Sequence, residues 1–248
     1  MQWISHRGES KDAPENTLEA FALSRERKTD GMECDIHLTK DLVLVTCHDA
    51  NTLRVSGENH IIEETFFADL QKLDVCNGMK EYSPCRIPLF SRTLKELGEG
   101  RVYYVEIKED DPRVIDAMME ELEKAHIKME QIVMISFKAN IVKLYKEKYP
   151  DCKALFLTSF SVDQKGTWSP TSDELIEKLA CLKADGVDIA GNLSFITKEY
   201  VEKVKNAGYD FAVWTVDDEK TAERFINFGV DAITSNCAAY LKNIFERK

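Results

Sequence analysis

No stretch of this 248-residue chain approaches the roughly 18 consecutive apolar residues of a membrane-spanning helix. The opening Met1-Gln-Trp-Ile-Ser-His6 has neither the basic region nor the apolar run of a secretory signal. Positive charge is in short supply: 33 Lys and Arg stand against 44 Asp and Glu, a net charge of -11. That excess repels phosphate backbones and anionic bilayers, so neither nucleic acid nor a membrane surface is the expected partner. A small anionic substrate is not excluded, because a few local cations or a metal can reverse the sign inside one pocket. The seven cysteines are an odd number and contain no Cys-x-x-Cys pair. A fully paired disulfide framework and a zinc ribbon are therefore excluded. Reduced thiols in a cytoplasmic protein are expected, with Cys34, Cys47, Cys76, Cys85, Cys152, Cys181 and Cys237 as small buried hydrophobes. No Gly-x-Gly-x-x-Gly follows the first apolar run and no Walker lysine motif occurs, which weakens a nucleotide-binding open sheet.

What is present is a repeated alternation. Short β-branched or aromatic runs occur at Trp3–His6, Met32–Ile36, Val102–Ile107, Ile132–Phe137, Ala154–Thr158, Gly186–Ile189, Phe211–Val216 and Asp231–Thr234. Helix-period segments follow most of them. Leu18/Phe21/Ala22, Ile115/Met118/Met119/Leu122, Ile141/Leu144/Tyr145 and Leu241/Ile244/Phe245 repeat at i, i+3, i+4, and Leu175/Leu179/Leu182 at i, i+4, i+7. Thr171-Ser-Asp-Glu174 reads as a capping box. Gly31, Gly186, Gly208 and Gly229 stand where helices must end, and positive φ is expected at each. Eight such units in this length predict an α/β fold of the (β/α)₈ barrel type, the TIM barrel, with an open doubly wound sheet as the runner-up. The whole chain, 1–248, reads as one domain. Between Ile36 and Val102 the rhythm breaks. Leu42–Cys47 reads as an extra strand, and residues 49–92 as a small inserted subdomain after the second strand, over the barrel mouth.

In such a barrel the chemistry gathers at the C-terminal ends of the strands. Glu33 and Asp35 are two apart on one strand and share a face, and Glu106 closes the next run. Three carboxylates so close would repel one another, and a hard divalent cation, Mg²⁺ or Ca²⁺, relieves that. His6 and His48 end two strand-like runs and are the natural proton carriers. His37 alternates with Ile36 and is read as pointing away from Asp35, while His60 and His126 have no nameable partner. Arg7 and Lys108 supply fixed cations for a phosphate or carboxylate, and equally for salt bridges to Glu33 or Glu106. Trp214 at a strand end is core or pocket wall.

In order along the chain stand His6-Arg7-Gly8, Pro14-Glu15-Asn16-Thr17, Glu33-x-Asp35, Leu38-Thr39-Lys40-Asp41, His48-Asp49, Glu106-x-Lys108, Trp214-Thr215-Val216 and Gly229-Val230-Asp231. In this order and spacing the chain resembles the glycerophosphodiester phosphodiesterases over nearly its whole length. The resemblance implies a TIM barrel with an insertion after the second strand. It implies one divalent cation held by Glu33, Asp35 and Glu106, an acid–base pair of His6 and His48, and phosphate contacts from Arg7 and Lys108. Glu15 and Asn16 support the site. The implied reaction cleaves soluble glycerophosphodiesters to glycerol 3-phosphate and an alcohol, by attack of the glycerol 2-hydroxyl and opening of a cyclic phosphate. The chain departs from the family's pattern at Leu53-Arg54-Val55-Ser56-Gly57, at Pro88–Leu94 and at Ser235-Asn236-Cys237-Ala238, which bears on the substrate's alcohol more than on the reaction. Two other readings are a lysophospholipase-D-like activity, with Phe66, Phe67 and Phe90 as an apolar rim, and a non-catalytic phosphate-binding barrel. The sequence does not set the oligomeric state.

Overall fold

The computed structural model describes residues 1–246. Its strands are β1 (Gln2–Ser5), β2 (Gly31–Leu38), β3 (Leu44–Thr46), β4 (Val102–Ile107), β5 (Ile132–Ser136), β6 (Lys153–Thr158), β7 (Ser161–Val162), β8 (Trp168–Ser169), β9 (Gly186–Ala190), β10 (Asp210–Trp214) and β11 (Ala232–Ser235). Eight of them, β1, β2, β4, β5, β6, β9, β10 and β11, pair in parallel in that order. Strand β1 pairs with both β2 and β11, so the sheet closes on itself as the TIM barrel expected from the alternation.

The period of two decides what each strand residue faces. On β2, Met32, Cys34 and Ile36 join the apolar layer beneath the outer helices. Glu33, Asp35 and His37 take the opposite face, toward the barrel interior. That interior is filled lower down by Ile4, Tyr104, Val133, Leu155, Ala212 and Ala232. Strand β2 is buried at every position, as expected for a strand covered on both sides.

The helices lie outside. Leu18–Glu26 starts where the Thr17 hydroxyl accepts from the Ala20 amide, and Pro112–Lys124 carries its proline in the first turn behind an Asp111 cap. Ser172–Leu182 opens with the reciprocal Thr171–Glu174 capping box and buries Leu175, Leu179 and Leu182, each contributing about 1.5–3 kcal/mol of apolar burial. Ala139–Lys148, Lys198–Asn206, Glu219–Phe228 and Ala238–Glu246 complete the layer.

Residues between β3 and β4 fold as short helices, Leu53–Ser56, Phe67–Leu70 and Phe90–Thr93, joined by single turns. Val45, Val55, Ile62, Leu70, Val75 and Ile87 form an apolar cluster there, apart from the main core.

The structure corrects four expectations. Gly208 and Gly229 do have positive φ, +94° and +80°. Gly31 and Gly186 do not; they open β2 and β9, and a Cβ on Gly31 would lie 2.5 Å from the Val102 carbonyl oxygen. Their glycines allow close strand approach, and the left-handed turns before them fall on Lys28 and Lys183. Cys181 is exposed, because it lies on the outer side of its helix, and Cys76 and Cys152 are only half-buried. Of the three phenylalanines read as a rim, Phe90 is fully buried under β4 and Phe67 packs into the local cluster, leaving Phe66 exposed. The β7–β8 hairpin was not expected. Its two-residue strands are too short to show a period, and its turn is made by Asp163 accepting from the Lys165 and Thr167 amides.

Candidate active site

At the C-terminal mouth of the barrel lies a cavity of ≈ 220 Å³ lined by His6, Arg7, Glu33, His48, Glu106, Ile135, Phe137, Leu157, Asp188, Trp214 and Thr234. Glu33 and Asp35 leave β2 on one face, and β4 runs alongside with Glu106 level with Asp35. Ligand oxygens of the three acids lie within 4.8 Å of one another, and all three residues are buried.

Their environments differ. Burial and the neighbouring Asp35 push the Glu33 carboxyl well up. Burial, again reinforced by Asp35 and opposed by Lys108, pushes Glu106 up to about 7. Burial acts upward on Asp35 too, but Lys108, Arg7, His48 and a hydrogen bond from Asn16 outweigh it and hold that carboxyl far down. Asn16 sits in a left-handed turn from which its amide donates to Asp35 Oδ2 at 2.7 Å while its oxygen accepts from the Asp35 backbone at 3.2 Å. Lys108 Nζ bridges Asp35 and Glu106 at 3.2 and 2.8 Å. Arg7 donates its backbone N–H to Glu33 at 2.8 Å, and its guanidinium pairs with Glu15 at 2.9 Å and Asp35 at 3.4 Å. An all-oxygen set of three buried acids, two of them pushed toward the neutral form by burial and then by proximity to Asp35, fits a hard divalent cation.

The two histidines are held alike. His6 Nδ1 donates to Asn236 Oδ1 at 2.7 Å, and Asn236 is itself anchored by Asp217 at 2.6 Å. His48 Nδ1 donates to Asp49 Oδ1 at 2.6 Å. Both residues line the cavity, and Nδ1 is the ring nitrogen engaged in each. Burial, aided by Arg7, lowers His6 to about 4. Burial also leads the lowering at His48, with Arg7 and Lys108 adding to it against Asp35 and Asp49. A salt-bridge chain ties the two loops together: Arg7 to Glu15, Glu15 to the two terminal guanidinium nitrogens of Arg54 at 2.7 and 2.8 Å, and Arg54 Nε to Asp49 at 2.7 Å.

Trp214 is a wall of the cavity. Its indole N–H donates to the Asp188 carbonyl at 3.1 Å, and its ring meets Phe137 edge-on at 5.6 Å. The eight residues singled out from the sequence, His6, Arg7, Glu33, Asp35, His48, Glu106, Lys108 and Trp214, thus gather at one mouth. Lys108 also borders a wider neighbouring groove with Lys40 and Glu109. His37 is a correction. It shares the face of Asp35, two residues on, and its buried ring lies between the Glu109 carboxylate and the His48 carbonyl. Asp188, Asp217 and Arg54 were not singled out for any role. Alternation along β9 could have flagged Asp188; no local pattern marks Asp217.

Fold and mouth define the class: a closed parallel barrel enzyme with an acid-rich, histidine-flanked pocket at the strand C-termini. The chain belongs to the glycerophosphoryl diester phosphodiesterase family, whose model matches residues 6–238. It is 28% identical to a glycerophosphodiester phosphodiesterase of Caldanaerobacter subterraneus subsp. tengcongensis, over 98% of this chain and 97% of that protein. It is 33% identical to the lysophospholipase D GDPD1 of Rattus norvegicus, over 71% of this chain and 46% of that protein. A solved Oleispira antarctica phosphodiesterase, in complex with the product sn-glycerol-3-phosphate, superposes with a TM-score of 0.86 at 26% identity, covering 99% of this chain and 97% of that one. The protein is therefore a phosphoric diester hydrolase, and the binding-only alternative falls. No helix among the described residues is long and apolar enough to cross a membrane.

Proposed function

We propose that the protein hydrolyses water-soluble glycerophosphodiesters to glycerol 3-phosphate and an alcohol, with Glu33, Asp35 and Glu106 holding one divalent cation, Mg²⁺ or Ca²⁺. The observation that carries this reading is the convergence of three buried acids with two histidines, each tied at Nδ1, around one small cavity. The Oleispira structure bound to sn-glycerol-3-phosphate supports the product assignment. When bound, the cation supplies charge neutralisation for phosphate and glycerol oxygens.

Arg7 places a fixed positive charge against the phosphate, and Lys108, which meets the other oxygen of Asp35, does the same. One histidine Nε2 takes the proton of the glycerol 2-hydroxyl as its oxygen attacks phosphorus. The other gives a proton to the alcohol oxygen as the P–O bond breaks. The cyclic phosphate so formed is opened by water with the two histidines exchanging roles. Asn236 and Asp49 orient the rings. Residues 1–248 act as one unit, in which segment 49–92 carries Arg54 to the mouth. A lysolipid substrate is less well supported, since Phe90 is buried and Phe67 half-buried.

The test is glycerol 3-phosphate release from glycerophosphocholine with Mg²⁺, with Ca²⁺ and with chelator, for wild type and His48→Ala. Release with a metal, abolished by chelator and reduced about 10²–10⁴-fold in His48→Ala, is expected. No release with either metal would overturn the assignment.

A further inference from the structure

We propose that Asp188 is a specificity-determining residue, receiving the free terminal hydroxyl of the substrate's glycerol half; this rests on the function proposed above. Strand β9 lies four strands round the barrel from β2, so Asp188 stands across the cavity from the three acids. It is 1% exposed, and its Oδ1 has no hydrogen-bond partner among the described residues. Thr234 Oγ1, on β11, is likewise buried without one, and both residues line the cavity. A buried acceptor with no donor is unfavourable, and folded proteins rarely leave one unpaired. The rest of this wall, Ile135, Leu157 and Trp214, offers no side-chain group aimed at that oxygen. A hydroxyl brought by the substrate satisfies it, donating to the carboxylate or pairing with the carboxyl.

The cavity's size and closure say which part of the substrate that is. Its volume of ≈ 220 Å³ suits a small polyol phosphate, and the barrel below is filled by Ile4, Tyr104, Val133 and Ala212. The variable alcohol has room toward the mouth only. With phosphate against Arg7 and the 2-hydroxyl at a histidine, the remaining glycerol hydroxyl is the donor left for the far wall. The backbone that carries Asp188 is held by pairing on both sides, with β6 and β10, and by the Trp214 indole N–H, which donates to the Asp188 carbonyl at 3.1 Å. A substrate whose terminal oxygen is acylated has no hydroxyl to pair there and brings a chain against a closed wall. The site thus favours deacylated glycerophosphodiesters over lysophospholipids.

The experiment compares kcat/KM for glycerophosphocholine with that for the choline phosphodiester of propane-1,2-diol. This analogue keeps the hydroxyl beside the phosphate-bearing carbon and lacks only the terminal one. Wild type is expected to prefer the glycerol ester by about 10–100-fold. In Asp188→Ala and Asp188→Leu, whose folding is checked by thermal melting, that ratio is expected to fall at least about threefold, through loss on the glycerol ester alone. The Leu variant, which nearly keeps the volume and removes both oxygens, decides the matter if the Ala variant does not fold. A ratio that moves less than this in a folded variant, or two rates that fall in parallel, overturns the role of Asp188. Wild type inert toward both esters would instead reject the parent reading.

Discussion

A carboxylate held far down between two carboxylates pushed up is the central electrostatic feature of the mouth. Asp35 stays ionised because Lys108, Arg7 and Asn16 reach it, and Asn16 holds both its side chain and its backbone N–H. Asn16→Ala is therefore expected to weaken divalent-cation binding by about 10–100-fold, the usual effect of losing a partner that orients a ligand. Calorimetric titration with Ca²⁺ checks this, and an unchanged affinity would remove Asn16 from the site. Asp188 gives a pH signature of its own. Burial first, and Glu106 second, raise it from 3.8 to about 8. A folded-state value above the unfolded one means stability that is complete below about pH 4 and lost as pH rises through 8. Metal-free wild type should lose melting temperature between about pH 5 and 9 relative to Asp188→Asn, which cannot titrate. Parallel melting curves across that range would contradict the raised value. The mouth acids and histidines were legible because strand periodicity and barrel geometry together predict where strand-end side chains converge. Asp217 acts through Asn236 across the β10 and β11 ends, a contact made by the pairing of two strands that local sequence does not register.

At the scale of elements, the outer helices were readable from apolar spacing and caps, and the eight barrel strands from short β-branched runs. The segment between β3 and β4 was not readable in detail. Its helices are four residues long, shorter than one could detect by a 3.6-residue period. Yet this segment delivers Arg54, which clamps Glu15 and Asp49 behind both histidine-bearing loops. Arg54 is 42% exposed, so its removal should cost little stability. Its loss should instead loosen His48, and Arg54→Ala is expected to lower kcat about tenfold with melting nearly unchanged. A large melting shift with intact kcat would show a structural role only. Gly31 is the opposite case. Its close approach to Val102 means that Gly31→Ala must push β2 from β4, at about 1–3 kcal/mol. Urea unfolding of that variant measures it; an unaltered midpoint would mean the strands separate freely.

For the molecule as a whole, the formal charge of -11 surrounds a site built to receive a phosphodiester. Local cations, Arg7, Lys108 and Arg54, stand at the mouth, each already paired with an acid. Their fields are therefore short-ranged, and an approaching substrate first meets the net negative charge. Glycerophosphocholine is zwitterionic and feels little of it; glycerophosphoglycerol carries one uncompensated negative charge. Screening shortens the reach of the repulsion to about 10 Å at about 0.1 M salt. Raising the salt from about 10 to about 150 mM at fixed divalent concentration should then increase kcat/KM for glycerophosphoglycerol by about two- to threefold and leave glycerophosphocholine unchanged. The two substrates share the glycerol half and the reaction, so the difference isolates the charge of the alcohol. A decrease with salt for glycerophosphoglycerol would show that the paired cations, rather than the overall charge, govern the approach to the barrel mouth.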